Sequence, residues 1–180
     1  MSMLTRTGYM RYMRKDIIVG IDPDVDKSGV AILDTKTDDI KLMSLSFIDV
    51  IALFKRLKDI QESENTSIQI YIEYSAATKH NWHLAAGGEK KAVASAKGYH
   101  LGRNHQLEQC LYEYAKDYIG LDIVRQAPFK KCWKGRDRKI SHEEIISFMP
   151  IKKTKTNQEE RDAALLAWLC ANKPIVISNK

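Results

Sequence analysis

Hydrophobic positions begin to organise at Ile17, where the run to Asp22 reads as a buried strand closed by a carboxylate and followed by a turn rich in Pro and Asp. Ser28 to Leu33 and Ile40 to Ser46 give two more strands, joined by short polar turns that suit an antiparallel meander. Phe47, Val50, Ile51, Phe54 and Leu57 recur at helical spacing and predict a helix over Asp49 to Ile60, ended by the polar run Gln61 to Ser67. Ile68, Ile70 and Ile72 then alternate with Gln69, Tyr71 and Glu73, a half-buried strand whose last residue is again a carboxylate. Tyr74 to Arg103 has no clean period, and Gly87, Gly88, Lys90, Lys91, Lys97 and Gly98 make it read as a basic, mobile connection. Leu107, Leu111, Tyr114 and Tyr118 mark a second amphipathic helix that Gly120 should stop, and Leu121 to Arg125 is short enough for one more strand. Ser141 with Glu144 is a capping box that opens a short helix before Pro150. A last helix begins near Asn157, with Leu166 and Leu169 on the side expected to face the sheet. The order predicts an α/β domain over residues 16–175, a mixed five-stranded sheet with its first three strands antiparallel and helices flanking it.

Composition narrows the class. A chain of 180 residues, 44% hydrophobic, supports one full core. Lys and Arg total 29 against 23 Asp and Glu, a net charge of +6 that favours a polyanionic partner where it is clustered. It is clustered at Lys130, Lys131, Lys134, Arg136, Arg138 and Lys139, with Trp133 among them and only Asp137 opposed. Such a run is either a solvated loop or a surface for phosphates, and the tryptophan tips the reading toward nucleic acid. Tyr74 and Trp82, just after Glu73, are candidates to stack on an unpaired base. Residues 1–15, with Arg6, Arg11, Arg14 and Lys15, stand apart and are left unassigned between a basic N-terminal arm, a targeting remnant and an early start. Cys110, Cys132 and Cys170 form an odd set without metal or disulfide spacing, and no stretch is apolar enough to span a membrane. A soluble protein of a reducing, cytoplasmic and nucleoid-associated setting is expected.

The carboxylates carry the chemistry. If the first and fourth strands lie side by side, Asp22 and Glu73 emerge at one sheet edge, and Glu159 and Asp162 share a face of the last helix that points there. Two like charges about 4 Å apart repel by about 4 kcal/mol at an effective dielectric near 20, so converging acids call for protonation or a cation. Oxygen-only donors select hard ions; two Mg²⁺, replaceable by Mn²⁺, suit hydrolysis of a phosphodiester. Each acid alone has a plainer reading as a turn residue, strand end or first-turn helix charge, and it is their joint order that favours catalysis.

Ile18-Val19-Gly20-Ile21-Asp22-Pro23, then Ser28 to Leu33, Ile70 to Glu73 and Glu159 to Trp168 together resemble the acidic motif set of the RuvC-type Holliday-junction resolvases, members of the ribonuclease H-like superfamily. The resemblance runs in order and spacing from about Ile17 to Cys170. It implies a ribonuclease H-like fold and a homodimer that nicks two opposed strands of a four-way DNA junction by Mg²⁺-dependent hydrolysis. It also implies metal-binding, catalytic roles for Asp22, Glu73 and Asp162, with Glu159 as a fourth acid, and basic helpers at Lys131, Lys134 and Lys139. Asp24 stands where the family often has Gly, adding a fifth acid near the site.

Three other functions compete. A sugar-kinase or actin-like ATPase domain shares the Gly-Ile-Asp strand end but needs a second such domain and Gly-rich adenosine loops. A ribonuclease H-like nuclease acting on structured RNA fits the composition equally well. A binding module without activity would gain nothing from gathered negative charge facing a polyanion.

Overall fold

The computed structural model describes residues 15–77, 91–130 and 132–176. The basic N-terminal stretch up to Arg14, Trp82 and Lys131 lie outside the described residues. Strands β1 (Ile17–Asp22), β2 (Ser28–Asp34), β3 (Ile40–Leu45), β4 (Ile68–Glu73) and β5 (Ile123–Gln126) form one sheet in the order β3-β2-β1-β4-β5. β1, β2 and β3 pair antiparallel, whereas β4 runs parallel to β1 and β5 parallel to β4. These directions in this order are those of the ribonuclease H-like fold, and the meander expected from the polar turns is present.

Alternation along each strand sorts the side chains into two cores. Val19, Ile21, Ile70 and Ile72 face helix α1 (Phe47–Ser63) and the end of α2 (Lys91–Glu113), where Phe54, Leu57 and Leu111 complete a closed apolar cluster. On the opposite face Ile18, Ala31 and Leu33 pack against helix α4 (Gln158–Cys170) and the short α3 (His142–Ile146). α1 begins two residues before its expected start because Ser46 caps it: its hydroxyl accepts from the Asp49 N–H in a capping box. Ser141 and Glu144 make the same device at α3, as their spacing predicts.

Two differences from the sequence reading matter for the site. Residues 91–103, expected as irregular connection, are the first half of α2, which then passes through a π-helical turn, Tyr114–Ile119, to the left-handed Gly120. Val93 and every residue from 95 to 100 are exposed, so this half carries no apolar stripe for a periodicity argument to find. Second, α4 does not meet the sheet chiefly through Leu166 and Leu169. A Cβ on Gly20 would lie 2.2 Å from the Ala163 carbonyl oxygen and 2.8 Å from the Ala167 nitrogen; one on Gly29 would lie 2.0 Å from the Glu159 carbonyl oxygen. Two glycines in the sheet and two alanines in the helix thus let backbone approach backbone, which leucines would hold apart.

Candidate metal centre and nucleic-acid interface

The pairing of β1 with β4 decides where the first two acids go. Ile21 pairs with Ile72, so Asp22 and Glu73 occupy the next positions of neighbouring parallel strands, about 4.8 Å apart in the pairing direction. Because Gly20 faces α4, the strand period puts Asp22 on that face too, and Gly29 is its partner on β2. The close seat of α4 over Gly20 and Gly29 then brings its first turns, with Glu159 and Asp162, to the same edge.

The electrostatics at Asp22 follow from this placement. Asp22 keeps part of its surface open to solvent, yet the protein atoms around it push its carboxyl well above the usual carboxylate range. Desolvation is the largest cause, followed by the charges of Glu73 and Asp162, with Glu159 adding to them and Lys139 opposing. A cleft floor that is dry but reachable has this character. A cavity of about 150 Å³ opens there, lined by Asp22, Glu73, Ser75, Leu101, Asn104 and Glu108.

Asp162 accepts hydrogen bonds from Lys139 Nζ at 2.6 Å and Gln158 Nε2 at 2.8 Å. Burial alone would lower the pKa of Lys139, but its hydrogen bond to Asp162 and the charges of Asp162, Asp22 and Glu73 outweigh this and raise it. Arg161 fixes the approach of this lysine. Its Nε donates to the Ile140 carbonyl at 2.9 Å and its terminal nitrogens to the Thr156 carbonyl and Gln158 Oε1, clamping the loop that carries Lys139 against α4.

The donors suit a hard divalent ion: all are carboxylate oxygens, they act on one another across low-dielectric ground, and Lys139 is an ammonium that opposes them. Among the described residues no three such side chains are already drawn to ligand spacing around a point. An ion would therefore finish the arrangement that the strand ends and α4 begin. Glu160, beside Glu159, belongs to a different task. It is buried, closes a capping box with Asn157 and receives Lys153 Nζ at 2.7 Å. The Asn157-x-x-Glu160 spacing is a local signal for it. Asp24 likewise shapes the turn, accepting from the Asp26 N–H at 2.9 Å.

The basic cluster divides. Lys139 turns into the acids; Trp133 stacks on Phe148 with ring centroids 5.9 Å apart and packs against the core beneath α4. Lys130, Lys134, Arg136 and Arg138 stay exposed, the last two flanking Asp137 in a tight turn with left-handed backbone at Asp137 and Arg138. Tyr74 is half-buried and lies 4.8 Å under the Arg125 guanidinium, which also stacks over Tyr112 at 4.1 Å. Arg125 in turn grips the buried Glu108, Nε to Oε1 at 2.7 Å. This Glu108–Arg125 pair beside the cavity had no local signature, because its members meet only when β5 lies beside β4 and α2 crosses above them.

No family model matches the sequence, and no curated protein is detectably similar to it. Among solved structures, the chain is similar to T. thermophilus RuvC in complex with a Holliday junction substrate, with a TM-score of 0.46 and 12% identity over 84% of this chain and 89% of that one. It is also similar to the Fowlpox virus resolvase in complex with substrate Holliday junction DNA, with a TM-score of 0.38 and 12% identity over 87% of this chain and 97% of that one.

Proposed function

We propose that this protein is a divalent-metal-dependent endonuclease that hydrolyses phosphodiester bonds in branched DNA, with a four-way junction as substrate. Asp22, Glu73, Glu159 and Asp162 are the residues we assign to hold the cations, Mg²⁺ or Mn²⁺. One observation carries the reading: Asp22 sits in a desolvated cleft facing three further acids, an arrangement that costs the folded chain stability and gains value only when a cation shares it. Divalent cations bound there supply Lewis acidity at the scissile phosphate and lower the pKa of an attacking water.

The chain's own groups supply position and charge. Lys139, cationic at neutral pH, holds Asp162 beside Asp22 and adds a positive charge where a phosphate would enter. Arg161 keeps that lysine in reach by pinning the Ile140 carbonyl. Lys130, Lys134, Arg136 and Arg138, exposed on the same loop, would track the neighbouring phosphates, with Lys131 next to them in sequence. The four acids form a single cleft, and nicking both opposed strands of a junction calls for two such clefts, so we assign a homodimer as the acting form.

The test is cleavage of a labelled four-way junction beside linear duplex and an RNA–DNA hybrid in Mg²⁺. Junction cleavage that disappears in Asp22→Asn and Asp162→Asn, with junction binding in Ca²⁺ retained, is the expected result. Undiminished cleavage by both variants would reject the assignment, and preferential cutting of the hybrid would transfer the chemistry to RNA.

A further inference from the structure

The turn between β1 and β2 connects Asp22 to its pairing partner Gly29, and its shape therefore sets where the Asp22 carboxyl points. Part of that shape is made locally: Asp24 Oδ1 accepts from the Asp26 N–H, and the Asp24 N–H donates to Ser28 Oγ at 3.3 Å. The remaining restraint comes from 80 residues away. Asn104 of α2 accepts from the Val25 N–H through Oδ1 at 3.2 Å and donates through Nδ2 to Asp24 Oδ2 at 3.4 Å. An amide side chain can do both at once, whereas a carboxylate or a hydrocarbon cannot.

Asn104 also lies where α2 changes character. Leu101, Asn104 and Glu108 fall on one helix face and line the cavity that holds Asp22 and Glu73. One turn further on, Glu108 is locked by Arg125. In the other direction, among the described residues, nothing lies within 4 Å of a Cβ placed on Gly98 or Gly102. Asn104 thus sits on the face by which α2 meets the acidic cleft, between Leu101 and the anchored Glu108. We infer that Asn104 is a positioning residue, which sets the Asp22 carboxyl for cation binding by bridging α2 to the turn that follows it. The inference rests on the nuclease reading and names a residue of the same site that touches neither substrate nor cation.

The experiment compares wild type, Asn104→Ala and the double variant Asn104→Asp with Asp24→Asn. The double variant keeps the net charge of the turn: position 104 still accepts from the Val25 N–H, and the hydrogen bond between positions 104 and 24 re-forms with position 24 now donating. Asn104→Ala is expected to lower the cleavage kcat by about 10- to 100-fold, the scale on which small misplacements of a reacting group act. It should also raise the Mn²⁺ concentration needed for half-maximal rate and weaken Mn²⁺ binding measured by calorimetry on DNA-free protein. Junction affinity in Ca²⁺ should stay within about twofold, the margin that separates positioning from substrate binding, and the double variant should recover most of the rate. A folded Asn104→Ala with wild-type kcat and Mn²⁺ dependence overturns the inference, and so does a double variant as slow as Asn104→Ala. Wild-type protein that binds Mn²⁺ without cutting a junction, with binding that falls and recovers across the variants, sinks only the substrate assignment. Wild-type protein that binds no Mn²⁺ sinks both.

Discussion

A carboxyl group moved from water to a cleft floor, with like charges facing it, is worse solvated than in the unfolded chain, and Asp22 titrates higher for that reason. The sign of the consequence follows from proton linkage. Between the unfolded carboxyl value near 3.9 and its raised folded value, the native state binds more protons, so the metal-free protein loses stability as pH climbs through that window. Asp22→Asn removes the charge. In chelator it should melt higher than wild type at pH 7, by about 2–4 °C for each kcal/mol relieved, and the gap should close toward pH 4. A variant that melts lower than wild type at both pH values would show that Asp22 is not under the strain described. Lys139 titrates higher too, but by attraction to acids and not by repulsion. Its pKa is raised by Asp162 once burial is overcome, so its contribution is complete at neutral pH and is lost only as pH rises through its folded value. Lys139→Met should therefore lower the melting temperature in chelator at pH 7 and lose that effect at strongly alkaline pH, as thermal melts across the range would reveal.

At the scale of elements, the seat of α4 on β1 and β2 is what makes four separated acids into one cluster. Gly29→Ala would push a methyl group into the Glu159 carbonyl, a backbone atom that cannot swing away. Overpacking of this kind costs about 1–3 kcal/mol, and here it also displaces the turn carrying Glu159 and Asp162. The expectation is a melting temperature several degrees lower together with at least tenfold weaker cleavage; Gly98→Ala, in the exposed part of α2, should instead be neutral or stabilising by up to about 1 kcal/mol. Equal effects of the two changes on melting and cleavage would contradict the close approach. The same elements explain what could be read from sequence. β1 is a short apolar run and β4 alternates, and each ends in an acid, so both strands and their side-by-side placement were within reach. The first half of α2 was not, since a stretch exposed at every position from 95 to 100 leaves no 3.6-residue rhythm. Trp133 looked like part of a nucleic-acid surface because its sequence neighbours are basic, but its ring partner Phe148 lies fifteen residues on, across a helix. Asn104 and Arg125 act on residues that only the tertiary fold brings near.

For the molecule as a whole, charge of both signs is arranged at one edge: acids within the cleft, exposed cations on the loop that delivers Lys139 to it. A polyanion would then be held by Lys130, Lys134, Arg136 and Arg138 while one phosphate is drawn over the acids. Binding of this type releases counterions, and log K falls with log salt by about 0.9 for every phosphate contacted on duplex DNA. Replacing Lys134, Arg136 and Arg138 together by Ala should therefore weaken junction binding and flatten the salt slope by up to about 2.7, three contacts at about 0.9 each. The control is a pair of exposed cations elsewhere: Lys55 and Arg56 lie on α1, which covers the opposite face of the sheet. Their replacement by Ala should leave the slope within error of wild type, measured by fluorescence anisotropy from about 50 to 200 mM salt, the range in which such contacts are resolved. If both sets flatten the slope in proportion to the charge removed, the overall excess of +6 is what attracts DNA and the loop has no privileged contact. A loss confined to the loop variant locates the phosphates beside Lys139, where the proposed cleavage chemistry requires them.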